Sequence, residues 1–380
     1  MAPIRLGMVG GGKDAFIGAV HRIAARIDGE FQLVAGALSS TPEKSRESGL
    51  ALGLDPDRCY GTYEEMAEAE AARPDGIRAV AIVTPNHMHA GPAIAFLNRG
   101  IHVICDKPLT ATMEQAEELA AAVGQAKALF ILTHNYTAYP MVRQAREMVA
   151  RGDLGAIRVV QVEYPQDWLT EASEAAGDNK QAEWRTDPAR SGAGGSIGDI
   201  GTHAHNLACF VSGQQVQSLA ADLQSFVPGR RVDDNAHIML RFDGGARGAL
   251  WCSQVAVGNE NALRLRVYGE KGGLEWAQED PNYLWFTPFG EPKRLLTRRG
   301  AGSDAAANAV SRTPGGHPEG YLEGFANIYA GAAQAIRAAD AGGRDPVLDV
   351  LPGLEAGLAG MRFIAAAIRS SQANSAWVEL

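Results

Sequence analysis

The sequence predicts an α/β protein: a Rossmann-type doubly wound parallel sheet, followed by an α+β domain with a large open, mostly antiparallel sheet. Three observations carry this expectation. Short apolar runs alternate with helical patterns at the start of the chain, as a parallel sheet with crossover helices requires. Later, strand patterns follow one another with no helix between them, which antiparallel pairing permits. The 380 residues also exceed one comfortable core, so two domains are expected, a dinucleotide-binding domain over 1–134 and a substrate and oligomerisation domain over 135–380.

The first strand, 4–9, ends in Gly10-Gly11-Gly12, and a helical pattern continues through Ile17, Val20, Ile23, Ala24 and Ile27. Strand, glycine turn and helix together make a phosphate-binding layout. Glycine lets the backbone approach a pyrophosphate, and the helix N-terminus offers N–H groups and the positive end of a dipole. Gly10, Gly12 and Ile17 are therefore cofactor-binding candidates. The next glycine is Gly18, so the turn is about three residues longer than G-x-G-x-x-G. A plain tight turn would also fit the pattern.

A second strand over 31–38 leads to a helix opening at Thr41-Pro42-Glu43, where proline suits the first helical position. Helix 62–73 precedes strand 77–83, which ends in Thr84-Pro85-Asn86-His87-Met88-His89. Helix 92–99 stops at Gly100. Strand 101–105 runs into Asp106-Lys107-Pro108, and helix 112–126 and strand 129–133 lead to His134-Asn135-Tyr136. Ligands of such sheets lie beyond the carboxyl ends of the strands. That rule nominates Ser39, Ser40, Thr84, Asn86, His89, Asp106 and Lys107 for the cofactor, and Tyr136 for the substrate. Strand two ends in Ala37-Leu38-Ser39-Ser40 without the carboxylate that would bind a 2′-hydroxyl, and Lys44 and Arg46 follow. Of the two NAD(P) cofactors, NADP is favoured, although both cations would also suit an exposed helix.

In the second half, strand patterns occupy 157–164, 216–226, 237–242, 249–257, 263–268, 273–276 and 283–289, with helices near 321–338 and 352–368. One sheet face needs a covering helix. The other is expected to form a homodimer or homotetramer interface through outward Leu250, Trp285 and Phe289. Loop 165–195 is too long to be idle. It carries Gln166, Trp168, Trp184 and Arg185, amphipathic residues suited to a sugar site. His317 lies in a Gly-Pro-rich turn that could close over substrate.

The run from Gly194 to Asn206 passes from glycine-rich coil into a helical stripe of Ile200, Ala204, Leu207, Ala208 and Val211, closed by Gly213. Asp199 stands at an N-cap position with His203 one turn later. A carboxylate beside an imidazole can handle a proton near neutral pH, whereas a cap and a core histidine would show the same spacing. His203 and His205 are two apart and face different sides of a helix, so no metal site is expected.

The net charge of −9 argues against nucleic acid as a partner. No apolar run reads as a membrane span, and the opening residues pass straight into a strand with no signal-peptide layout. The four cysteines are scattered and fit reduced thiols in a cytoplasmic protein. The Lys293-Arg294 and Arg298-Arg299 cluster reads as a solvated edge.

Taken together, Gly10-x-Gly12, Thr84-Pro85-Asn86-His87-Met88-His89, Asp106-Lys107-Pro108, Asn135-Tyr136 and Gly198-Asp199-Ile200-Gly201-Thr202-His203 make the chain resemble the glucose–fructose oxidoreductase / inositol dehydrogenase (Gfo/Idh/MocA) family over nearly its whole length. Tyr164–Trp168 and Gly316–Tyr321 look like the branch with levoglucosan-type sugar dehydrogenases. The resemblance implies hydride exchange between a nicotinamide and a secondary alcohol or ketone of a sugar, anhydrosugar or cyclitol, with Lys107, Asp199 and His203 as the catalytic set. Asp106 replaces a usual Glu and Thr137 a common Arg. A glycosidase acting by transient sugar oxidation and a non-catalytic sensor are the alternative functions.

Overall fold

The computed structural model describes residues 2–13, 15–175 and 179–380. The chain forms two compact units, Met1–Asn135 with Tyr321–Leu358, and Tyr136–Gly320 with Ala359–Leu380.

In the first unit the strands are β1 (Ile4–Gly10), β2 (Phe31–Ala37), β3 (Ala79–Val83), β4 (His102–Cys105) and β5 (Phe130–Leu132), alternating with α1 (Phe16–Ile27), α2 (Pro42–Ala51), α3 (Tyr63–Ala72), α4 (Ala90–Leu97) and α5 (Met113–Gln125). The sheet order is β2-β1-β3-β4-β5, all pairs parallel. β3 and β4 are buried throughout, as expected when helices cover both faces of a parallel sheet. Crossover helices return every strand in the same direction, so the carboxyl ends share one edge.

The division of the chain differs from the single boundary at 134. α11 (Tyr321–Asp340) packs along α1: His21 Nδ1 lies 2.8 Å from the Tyr329 hydroxyl, and the His21 ring meets Phe325 at 5.0 Å. Burial lowers the His21 pKa to about 4. The sequence marks a helix near 321–338 but not the surface it packs on.

The second unit holds α6 (Pro140–Ala150), β6 (Ile157–Pro165), α7 (Lys180–Arg185), α8 (Pro188–Ser191), α9 (Thr202–Ser212), β7 (Val216–Gln224), β8 (Asn235–Phe242), β9 (Arg247–Ser253), β10 (Arg264–Gly269), β11 (Gly272–Ala277), β12 (Tyr283–Pro288), β13 (Arg294–Thr297), α10 (Ala305–Ala309) and β14 (Val378–Glu379). Its sheet runs β13-β12-β11-β10-β6-β9-β8-β7-β14. β6 and β9 are parallel, and their neighbours pair antiparallel. The sheet face covered by α9 contains Val162, Leu250 and Ile238 in register, all buried. Leu250 therefore faces inward, contrary to expectation, while Trp285 and Phe289 are exposed.

Two further expectations are corrected. Arg298 is not solvated. It is buried against Glu319 with an N–O distance of 3.0 Å. And Pro346–Gln372, which contains α12 (Leu354–Gln372), is long and apolar enough to cross a membrane by length and composition. Over half of its most apolar window is buried within the protein, with Phe363, Ala366 and Ala367 fully enclosed, so it reads as a core helix.

Candidate active site

In the first unit, the turn after β1 is shaped by close backbone approach. Gly10 and Gly11 have φ of +78° and +70°, which side chains disfavour. A Cβ on Gly12 would stand 2.6 Å from the Leu38 carbonyl oxygen, and one on Gly18 would stand 2.4 Å from Gly11 Cα. Gly18, passed over as a spacing defect, thus supplies the close helix–turn packing of the fingerprint's last glycine. Among the described residues no side chain caps the start of α1 at Ala15. Arg22 donates to the Gly11 carbonyl. This cradle fits a dinucleotide pyrophosphate, with half-buried Ile17 on the first turn of α1.

At the end of β2, Ser39 is half-buried and Ser40, Lys44 and Arg46 are exposed. After β3, Thr84 Oγ1 donates to the Met88 carbonyl at 2.9 Å, and Asn86 is buried. His89 is fully buried, with Nδ1 2.8 Å from the Pro108 carbonyl and Nε2 2.9 Å from the Thr84 carbonyl. Both ring nitrogens thus face backbone carbonyls at two strand ends. Burial lowers its pKa, opposed by Asp106 and the carbonyls. Asp106 Oδ1 accepts from Lys107 N–H at 2.8 Å and Thr133 Oγ1 at 3.0 Å. The Lys107 backbone is therefore held by Asp106 on one side and, through Pro108, by His89 on the other. Lys107 itself is half-buried.

In the second unit, Asp199 is not an N-cap. It lies inside a π-helical turn, Ile197–Gly201, that continues into α9; such turns recur at functional sites because they re-aim side chains. Asp233 anchors the turn, accepting from Gly195 N–H at 2.7 Å, Ser196 Oγ at 2.6 Å and Ile197 N–H at 2.8 Å. Asp199 Oδ2 accepts from Arg185 Nε at 3.1 Å and Gln254 Nε2 at 2.9 Å. The Arg185 guanidinium carbon sits 4.2 Å from the centroid of Trp184 and 5.8 Å from that of Trp168. The His203 ring is buried edge-on against Tyr136 at 4.8 Å and Tyr164 at 6.3 Å. The Tyr136 and Tyr164 hydroxyls are 2.6 Å apart, and burial raises the Tyr136 pKa.

Gln166, Trp168, Trp184 and Arg185 are thus joined with Asp199 and Gln254 through a few short links. His205 turns the other way, stacking on Phe363 at 4.4 Å, and burial lowers its pKa to about 4. His317 is exposed and contributes its backbone: the carbonyl accepts from Arg298 and, at 3.1 Å, from Thr313 Oγ1. Its backbone thus braces the turn that carries it.

The sequence reading missed Gln254 and Asn261. A signal for Gln254 existed: β6 and β9 are parallel, Pro165 opposite Ser253, so the residues just beyond each strand share one edge. The strand-end rule was applied only to the first sheet.

The comparisons with known proteins cover both units. Residues 4–147 match the model described as oxidoreductase family, NAD-binding Rossmann fold, and residues 142–275 match the GFO/IDH/MocA C-terminal domain. A solved oxidoreductase from Sinorhizobium meliloti is 60% identical, with both chains fully covered and a TM-score of 0.90. An inositol dehydrogenase homologue from Azotobacter vinelandii, solved with NADH and myo-inositol, is 37% identical over 100% of this chain and 98% of its own, with a TM-score of 0.92. Levoglucosan dehydrogenase from Pseudarthrobacter phenanthrenivorans is 29% identical over 73% of this chain and 75% of its own.

Proposed function

Because the chain belongs to the Gfo/Idh/MocA family of nicotinamide-dependent oxidoreductases, we propose that it oxidises a ring secondary alcohol of a cyclitol or closely related sugar, and reduces the matching ketone. The observation that carries this reading is the pairing of a clamped carboxylate, Asp199, with a histidine buried among tyrosines, His203, on consecutive turns. Arg185, Gln254 and the tryptophan faces beside Asp199 suit a polyol, which presents hydroxyls at its edge and C–H groups on its faces. The relative solved with NADH and myo-inositol supports a cyclitol over an anhydrosugar.

The bound nicotinamide supplies the hydride chemistry. His203 takes the proton of the reacting hydroxyl during oxidation and returns it during reduction. Lys107, just beyond β4, is assigned the stabilisation of developing negative charge. Asp199 orients the acceptor face of the site for the neighbouring hydroxyl. Replacing His203 or Lys107 by Ala, with cofactor affinity measured separately, tests these roles. Turnover should fall about a hundred- to ten-thousand-fold with cofactor binding retained. Undiminished turnover in either variant would remove that residue from the mechanism.

The end of β2 lacks a carboxylate and α2 exposes Lys44 and Arg46, so NADP is accepted at least as well as NAD. The kcat/KM ratio for the two cofactors decides this, and a preference for NAD would overturn it. The exposed sheet face around Met239, Trp285 and Leu295 is assigned as a homo-oligomer interface. Light scattering on Met239→Asp and Trp285→Asp should show a smaller assembly than wild type.

A further inference from the structure

We propose that Asn261, in the segment between β9 and β10, is a positioning residue for His203. This rests on the reading of His203 as the proton-transfer group, and it assigns to Asn261 the setting of the aromatic wall against which that imidazole lies.

The Trp168 indole can only donate, and its Nε1 is 3.1 Å from Gln166 Oε1. That fixes the Gln166 amide, whose Nε2 then points at Asn261 Oδ1 at 2.6 Å. Asn261 must present its oxygen there, which leaves Nδ2 to donate to Gln278 Oε1 at 2.9 Å. The same Oδ1 accepts from the Tyr164 hydroxyl at 2.8 Å. With Tyr164's proton spent on Asn261, the 2.6 Å contact between the phenols carries the proton of Tyr136. Both tyrosine rings abut His203. Donation therefore converges on Asn261 Oδ1 from two sides, from Trp168 through Gln166 and from Tyr136 through Tyr164, and Asn261 is the branch point where three bonds meet.

The backbone holds Asn261 equally firmly. Its N–H donates to Glu279 Oε1 at 3.0 Å, its carbonyl accepts from Leu263 N–H at 2.9 Å, and Ala262 N–H reaches the Pro165 carbonyl at 3.1 Å. The amide thus stands at a fixed place beside the end of β6, where Tyr164 and Gln166 flank Pro165. The Tyr136 hydroxyl is engaged by Tyr164 and Asn261, so its contribution is a ring face rather than an acid.

The test uses full-length Asn261→Ala and Asn261→Asp, assayed with myo-inositol as the polyol probe or, failing turnover, the best substrate of a cyclitol and sugar panel. Asn261→Ala removes the shared acceptor, releases the Tyr164 hydroxyl and lets the rings shift. kcat/KM should fall roughly tenfold to a hundredfold, as small misplacements at a reacting centre do, with cofactor Kd within about twofold of wild type. Asn261→Asp keeps an acceptor oxygen in place and adds a negative charge. It should recover most of the activity and raise the pKa of the limb in the pH–rate profile assigned to His203, because a nearby anion favours the imidazolium. A lowered melting temperature with wild-type kcat/KM and an unmoved limb in both variants would make Asn261 merely structural and overturn the proposal. The parent reading fails separately: in that case His203→Ala would retain the limb.

Discussion

Gly18→Ala is a small perturbation with a large calculable consequence. The added Cβ would lie 2.4 Å from Gly11 Cα, 2.5 Å from the Gly11 carbonyl oxygen and 2.8 Å from its carbonyl carbon, where ordinary contact begins at 3.4 Å. All three atoms are backbone, so no side chain can rotate aside, and α1 and the glycine turn must separate by about 1 Å. Overpacking of this kind costs about 1–3 kcal/mol. The displaced elements are those that would hold the pyrophosphate, so the same shift reaches the cofactor. Cofactor Kd, measured by titrating reduced nicotinamide fluorescence, should rise about tenfold to a hundredfold, since each 1.4 kcal/mol is a factor of ten. kcat at saturating cofactor should change far less. Gly29→Ala is a suitable control, because a Cβ there meets nothing within 4 Å and only its φ of +69° is strained. Wild-type cofactor affinity in a folded Gly18→Ala protein would refute the assignment of this turn to the dinucleotide.

Other outcomes follow from the same geometry. His89→Ala should lower kcat more than cofactor affinity, because it frees the Pro108 carbonyl beside Lys107; initial rates at saturating cofactor check this, and an unchanged kcat would count against it. His205 has a folded pKa near 4 against an ordinary 6.5, so its contribution to stability is complete above about pH 6.5 and is lost as pH falls toward 4. Between pH 7.5 and 5 this is worth about 2 kcal/mol. Urea midpoints of wild type should fall across that interval more steeply than those of His205→Leu, and equal slopes would contradict it. Arg185→Ala removes one donor to Asp199 and the cation between two tryptophans. It should raise polyol KM about tenfold or more while leaving cofactor Kd unchanged in fluorescence titration.

The first sheet was legible because its signals are local: each strand is a short apolar run and each strand end carries its chemistry within a few residues. The helix that carries His203 was legible for the same reason, although the π turn at Ile197–Gly201 was not. An N-cap aspartate and one inside a π turn precede the same stripe of apolar residues, and only Asp233, more than thirty positions on, anchors the difference. Non-local partners account for the other misses. Arg298 looked solvated because Glu319 is 21 residues away. Leu250 looked outward because alternation on a strand does not say which face is covered. Asn261 carries no motif, and its importance appears only once Tyr164, Gln166 and Gln278 are folded around it.

The central claim is that His203 moves the hydroxyl proton of a polyol carbinol, with a bound nicotinamide as the group that would supply the hydride chemistry. The direct measurement is the appearance of reduced nicotinamide absorbance when wild type and His203→Ala are each offered myo-inositol, other cyclitols and hexoses with NAD and NADP. Wild type should give a signal with at least one of these polyols, reduced at least about a hundredfold in His203→Ala. Silence across the whole panel in cofactor-saturated wild type, or equal rates in both proteins, would contradict it.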